Sequence, residues 1–168
     1  MGDFKWFPIN SGGSFRKWFG NNLKIIDLWH DGFNIKNHVK NYRLRDKKYY
    51  FKDGITWGRI TSAEICFRQI INGSLFGDAG PIGFITHRKT YILGLLNTKI
   101  IKYLLGIQNP TLNSQISDIM NLPLVFLEEY NQQVNSFVCK NISLAKSDWD
   151  SFETSWDFTN HPLLKDRV

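Results

Sequence analysis

Two cations stand beside two large aromatics in Arg16-Lys17-Trp18-Phe19-Gly20-Asn21, a glycine-flanked segment between Ser11-Gly12-Gly13-Ser14 and Trp29-His30-Asp31-Gly32. Side chains of these types have a definite chemistry. Lys and Arg neutralise phosphates, and flat rings or guanidinium planes stack on bases and sugars. The cations continue downstream as Lys36, Lys40, Arg43, Arg45, Lys47, Lys48, Lys52 and Arg59. Residues 1–60 carry twelve Lys and Arg against five Asp and Glu, whereas residues 61–168 carry nine against ten. The whole positive excess of the chain, +6 in net charge, therefore sits in its first third. Such localisation suits a polyanion footprint. A lysine-rich solvated face would give the same count but not the aromatic interleaving.

Catalytic constellations are imitated rather than present. Phe76-Gly77-Asp78-Ala79-Gly80 has glycines like a loop that holds S-adenosylmethionine, but it lacks the F-x-G-x-G spacing and a strand–loop–helix context. Asn109-Pro110-Thr111-Leu112 approaches the N-P-P-aromatic box that engages a flipped base, yet the second proline and the aromatic are missing. His30, His38, His87 and His161 are scattered, with no H-x-x-x-H and no acidic pair beside them. No Walker loop, G-x-S-x-G elbow or two-metal carboxylate cluster occurs. Asp148, Asp150, Glu153 and Asp157 alternate with Trp149, Phe152, Trp156 and Phe158, a pattern of a docking or packing edge.

Composition narrows the class. The 168 residues are 42% hydrophobic, with thirteen Phe, six Trp and six Tyr, enough to bury a core as a single domain over residues 1–168. No run of eighteen apolar residues is present, and Met1-Gly2-Asp3-Phe4-Lys5-Trp6 lacks the apolar centre of a signal peptide, so a cytoplasmic location without membrane partners is expected. Cys66 and Cys139 are too few and too far apart for a disulfide framework or a zinc site.

The elements that must position the cations divide at residue 88, into a strand-rich basic part and a helix-rich part over 89–168. Leu23–Trp29 reads as a strand, and Asp31 as the cap of a short helix burying Phe33, Ile35 and Val39. Tyr49-Tyr50-Phe51 and Ile55-Thr56-Trp57 flank Lys52-Asp53-Gly54, which predicts a hairpin. Ile65–Ile70 is another strand, followed by turns at Gly73, Gly77, Gly80 and Gly83. From Thr90 the apolar residues Tyr91, Leu95, Ile101 and Leu105 recur at helical spacing, with Gly106 as the stop. A second helix is predicted from about Glu128 to Leu144. Ser147-Asp148-Trp149-Asp150 has the spacing of a capping box for a last one.

Several strings taken in order carry a family resemblance. Trp6-Phe7-Pro8-Ile9-Asn10 leads into Gly12 through Asn21, then come WHDGFNIK at Trp29–Lys36 and YYFKDGITW at Tyr49–Trp57. YILGLLNTKI at Tyr91–Ile100, NPTLNSQISDI at Asn109–Ile119, Leu122-Pro123-Leu124 and DWDSFETSWDFTNHPLL at Asp148–Leu164 follow. Together they resemble the target recognition domain of PglX-type adenine-specific DNA methyltransferases, found in BREX phage-defence systems and related type II restriction–modification enzymes. That domain is similar to the TaqI-like C-terminal specificity domain and to type I specificity subunits.

The resemblance implies an α+β fold with a twisted, mostly antiparallel sheet beside packed helices. It implies a DNA-reading segment whose parent carries the catalytic methyltransferase domain and its S-adenosylmethionine elsewhere, with no cofactor, catalytic or metal site in this segment. Implied partners are double-stranded DNA, the catalytic domain of the same parent and other defence-system proteins. On that reading Arg16, Lys17, Lys36, Arg43, Arg45, Lys47, Lys48 and Lys52 are candidates for phosphate contacts, and Trp18 is a candidate DNA contact beside them. Arg59, Arg68 or Arg88 would read guanine, and Gln69 or Asn72 adenine. A docking module using the acidic-aromatic tail 148–158, and an autonomous methyltransferase or nuclease, are the competing readings.

Overall fold

Short aliphatic and aromatic runs become strands here, and buried backbone groups decide which partners they take. The computed structural model describes residues 4–60 and 64–164. In it β1 (Trp6–Asn10) lies between β2 (Ile25–Asp27), antiparallel, and β5 (Leu75–Phe76), parallel. A second sheet centres on β3 (Ile55–Trp57), antiparallel to both β4 (Phe67–Gln69) and β6 (Ile82–Gly83). α1 (Trp29–His38) follows β2, and α2 (Lys89–Leu96), α3 (Lys99–Gln108), α4 (Ile116–Met120) and α5 (Asn131–Trp149) form the helical side. The architecture is α+β with mostly antiparallel pairing, and the strands fall into two three-stranded sheets.

The larger core joins the second sheet to the helices. Ile55, Trp57 and Phe67 pack with Ile92, Leu93, Leu96, Ile101, Leu105, Leu122 and Val138. α2 and α5 approach closely at Gly94, where an added Cβ would lie 2.7 Å from Val138. A smaller cluster of Leu28, Tyr50 and Leu75 sits with Phe7, Ile9, Ile26 and Phe51 on the first sheet. Every residue of β3 is buried, so the hydroxyl of Thr56 needs internal partners. It donates to the Pro81 carbonyl at 2.8 Å and accepts from the Asn10 amide, which also donates to the Gly80 carbonyl at 2.9 Å. Asn10 thereby ties the end of β1 to the other sheet.

β4 has its free edge closed by side chain and loop. Asn97 accepts from the Phe67 N–H at 3.1 Å, and its amide donates to the Phe67 carbonyl at 2.9 Å and to Leu93 at 3.2 Å. Trp18 completes the edge, its N–H donating to Phe67 and its carbonyl accepting from Gln69, each at 2.9 Å.

Several sequence expectations are corrected by these long-range demands. The helix expected from Thr90 to Leu105 is two helices, because Asn97 turns its amide to β4. Thr98 then caps α3 by accepting from Ile101 N–H, and α3 runs through Gly106 to Gln108. The Asp53-Gly54 hairpin does not form. Residues 47–49 make a 3₁₀ turn, Phe51 is left-handed at φ 62°, and β3 pairs with β4 and β6 instead. Asp31 does not cap α1. His30, Asp31 and Gly32 are all left-handed, and Phe33 and Val39 are exposed. Ser147–Trp149 form the last turn of α5 rather than the start of another helix.

Asn97→Ala removes the partner of a buried N–H on Phe67, so it is expected to destabilise the chain by about 1–3 kcal/mol, with the urea unfolding midpoint as the measurement.

Candidate nucleic-acid interface

Seven of the cations proposed from sequence meet on one continuous surface, and acidic side chains arrange them. Asp31 accepts Lys36 at 2.8 Å and Lys47 at 2.7 Å. Those hydrogen bonds, from Lys36 first and Lys47 next, hold its carboxyl below the usual range. Lys48 and Lys52 lie 4.9 and 5.9 Å from the ring centre of Tyr49, which stacks on Phe84 at 5.3 Å. Phe84 in turn meets Phe76 edge-on at 5.7 Å. Phe76 walls a cleft of about 180 Å³ that also exposes Arg45, Arg59, Asp78, Ser114 and Gln115. Asp78 is ion-paired with Arg45 and lies 3.9 Å from Arg43.

The sequence between residues 36 and 59 holds eight Lys and Arg against two Asp. With Asp31 and Asp78 folded onto it, this surface keeps a clear positive excess while its side chains are held in place. Partial neutralisation matters, because unopposed like charges at this density would repel one another. Cations and rings alternate along it, the combination that single bases and phosphates recognise together.

The remaining five candidates lie elsewhere. Arg68 is a correction: it is 1% exposed, so it reads no base. Its guanidinium donates to the Gly12 carbonyl at 2.6 Å, and burial pulls its pKa down. Trp18 has its ring partly buried against the main core, and its backbone closes β4. Arg16 ion-pairs with Asp148, with its guanidinium 4.9 Å from the ring of Trp149, and Lys17 donates to the Asn97 carbonyl at 3.1 Å. Arg88 pairs with Glu128 at 2.6 Å and faces Phe126. The segment 16–19 is therefore a seam between sheet and helices.

The acidic-aromatic tail closes onto the same seam. Lys146 donates to Asp150 at 2.7 Å and Asp157 at 2.5 Å, and sits 5.1 Å from the Phe19 ring. Ser155 donates to Asp150 at 2.6 Å. The clamp leaves Phe152 and Trp156 of the tail exposed. Residues 77–80 close a tight turn, and Asn109 is consumed by bonds to Thr111, Asn113 and Asp118. Among the described residues no group of three His, Cys, Asp or Glu is placed to hold a metal ion, and no helix is long and apolar enough to cross a membrane.

Sequence reasoning does not reach Asp78, Gln115 or Phe84 as site residues. Asp78 sits in a loop whose glycines dominate its reading, although an acid that folds among cations is the signal for a counter-ion. Gln115 is brought to Arg59 by the 113–114 strand-like pairing, which sequence spacing does not show.

No family model matches the chain. It is similar to the adenine-specific methyltransferase BrxX of Escherichia coli O9:H4 (strain HS), 34% identical over 168 residues that cover 98% of this chain and 13% of that protein. It is also similar to the adenine-specific methyltransferase PglX of Lacticaseibacillus casei (strain Zhang), 35% identical over 170 residues covering 96% of this chain and 14% of that one. The chain is homologous, over nearly its whole length, to one segment of PglX-type adenine-specific methyltransferases. It spans about a seventh of the length of these relatives.

The tail clamp titrates. Burial pushes the Asp150 carboxyl up, but the hydrogen bonds from Lys146 and Ser155 and the charge of Lys146 outweigh it and leave the group below its ordinary value. A depressed carboxyl contributes stability above its unfolded pKa of about 3.9 and loses it as pH falls through the folded value. The expected outcome is an acid loosening of residues 149–157 below about pH 4, seen as a change in tryptophan emission from Trp149 and Trp156. Lys146→Met should move its onset to higher pH.

Proposed function

We propose that this chain is the DNA target recognition segment of an adenine-N6, site-specific DNA methyltransferase of the PglX type, acting in a BREX or related restriction–modification system. The observation that carries this is the continuous surface of Lys36, Arg43, Arg45, Lys47, Lys48, Lys52 and Arg59, interleaved with Tyr49 and Phe84. Double-stranded DNA is the partner such a surface fits: exposed cations track phosphates, and charged and amide side chains in an adjoining cleft meet base edges. The homology to methyltransferases supports the same partner.

In this reading the segment binds and positions, and the chemistry lies with the parent's catalytic domain and its S-adenosylmethionine. That domain is a partner of the same chain, working in the cytoplasm, where other defence-system proteins could also engage it. The segment's task is to hold the duplex so that one adenine reaches the catalytic domain.

The test is a salt titration by fluorescence anisotropy on a random-sequence duplex pool. The chain should give a steep negative slope of log affinity against log salt. Replacing Arg43, Arg45, Lys47 and Lys48 together by Ala should weaken binding to all sequences and flatten the slope by about two to four, near 0.9 for each phosphate no longer neutralised. An unchanged slope in that variant would remove this surface from the interface.

A further inference from the structure

We propose that the cleft holding Arg45, Arg59, Asp78 and Gln115 reads a G·C base pair through the major groove, an inference that rests on the DNA-recognition reading above. Its volume of about 180 Å³ is below the roughly 300–1,000 Å³ of pockets that enclose a whole cofactor or drug-sized ligand. It suits an edge of a base pair presented from outside.

Four chain segments, at Arg45, Arg59, Phe76–Ile82 and Ser114–Ile116, come together to build it. The Arg59 N–H donates to the Ala79 carbonyl at 3.0 Å, and the Arg59 carbonyl accepts from Ser114 N–H at 2.8 Å. Ile60 pairs with Asn113, whose side-chain oxygen accepts from Arg59 Nε at 3.3 Å. Arg59 is thereby fixed at backbone and side chain, as a reader with a planar fork needs to be. Arg45 shares Asp78 with Arg43, and its Nε is buried without a partner among the described residues.

The chemistry of the lining selects the ligand. A G·C pair shows two adjacent acceptors on guanine, O6 and N7, beside the N4 amino donor of cytosine. Arginine meets the first two in bidentate fashion and a carboxylate accepts from the third. A phosphate fits this cleft less well, because the Asp78 carboxylate would face it. Lys48 and Lys52 lie along the Phe76–Phe84–Tyr49 contact chain and are placed to hold the flanking backbone.

Selection of preferred duplexes from a random pool, followed by affinity measurements on single-position variants of the selected site, decides the matter. The wild-type chain should enrich a site with a G·C pair whose replacement weakens binding. Arg59→Lys keeps the charge but loses the fork, and should reduce discrimination at that one pair by roughly 5- to 150-fold. Asp78→Asn, at a half-exposed position, should relax the same pair, and it tests the proposal independently should the Arg59 variant fail to fold by circular dichroism. Undiminished discrimination at every position in both variants would overturn the cleft assignment while leaving the DNA-binding surface standing. Binding without enrichment of any site would do the same. No duplex binding by the wild-type chain at low salt would overturn both.

Discussion

The structure depends on closing one short edge. β4 is three residues long, fully buried at Phe67 and Arg68, and it has a sheet partner on one side alone. Buried backbone groups without partners are too costly to leave open. Here the opposite edge is met by the Asn97 amide from the helical side and by Trp18 from the N-terminal loop. Two regions far apart in sequence are therefore registered on one residue, Phe67. The break between α2 and α3, the course of the loop 11–22 and the position of the tail clamp all follow from that registration.

The same constraint explains why the most suggestive segment in the sequence does not belong to the exposed basic surface. Arg16, Lys17, Trp18 and Phe19 have the composition of a nucleic-acid loop, but each meets a partner inside the chain: Trp149 and Asp148, Asn97, β4, and Lys146. Cation–π contacts and partly buried hydrogen bonds hold a seam as well as they hold a base. Residue type does not separate the two uses. What separates them is the availability of a competing internal partner, and the helices supply it here.

Legibility varies with the range of the interactions involved. The fold class, a strand within 65–70 and the helical spacing of Tyr91, Leu95, Ile101 and Leu105 are readable because burial imposes period on sequence directly. The Asp53-Gly54 hairpin misleads because turn propensity is worth little against pairing that buries all of Ile55, Thr56 and Trp57. The single long helix misleads because periodicity continues across Asn97, and only its bond to Phe67 reveals the break. The charge gradient locates the basic surface within the right third of the chain. It does not expose Asp31 and Asp78 as the groups that arrange it, because an ion pair between residues 45 and 78 leaves no mark on local spacing.

Arg68 shows what the fold accepts to hold its N-terminal loop. Its guanidinium is buried, with no carboxylate beside it and no partner for its Nε among the described residues, donating to the Gly12 carbonyl with Cys66 sulfur 4.0 Å away. A charge so placed costs stability. It also pins a loop whose Gly12, at φ 79°, sits so close to Ala79 that a Cβ would lie 2.6 Å from the Ala79 carbonyl oxygen. That same carbonyl accepts the N–H of Arg59. The buried arginine and the exposed one are thus joined through two loops, Gly12 to Ala79 and Ala79 to Arg59. A rigid seam on the inner side is what allows the cleft on the outer side to present fixed side chains, so the interior cost and the exterior precision belong to one construction.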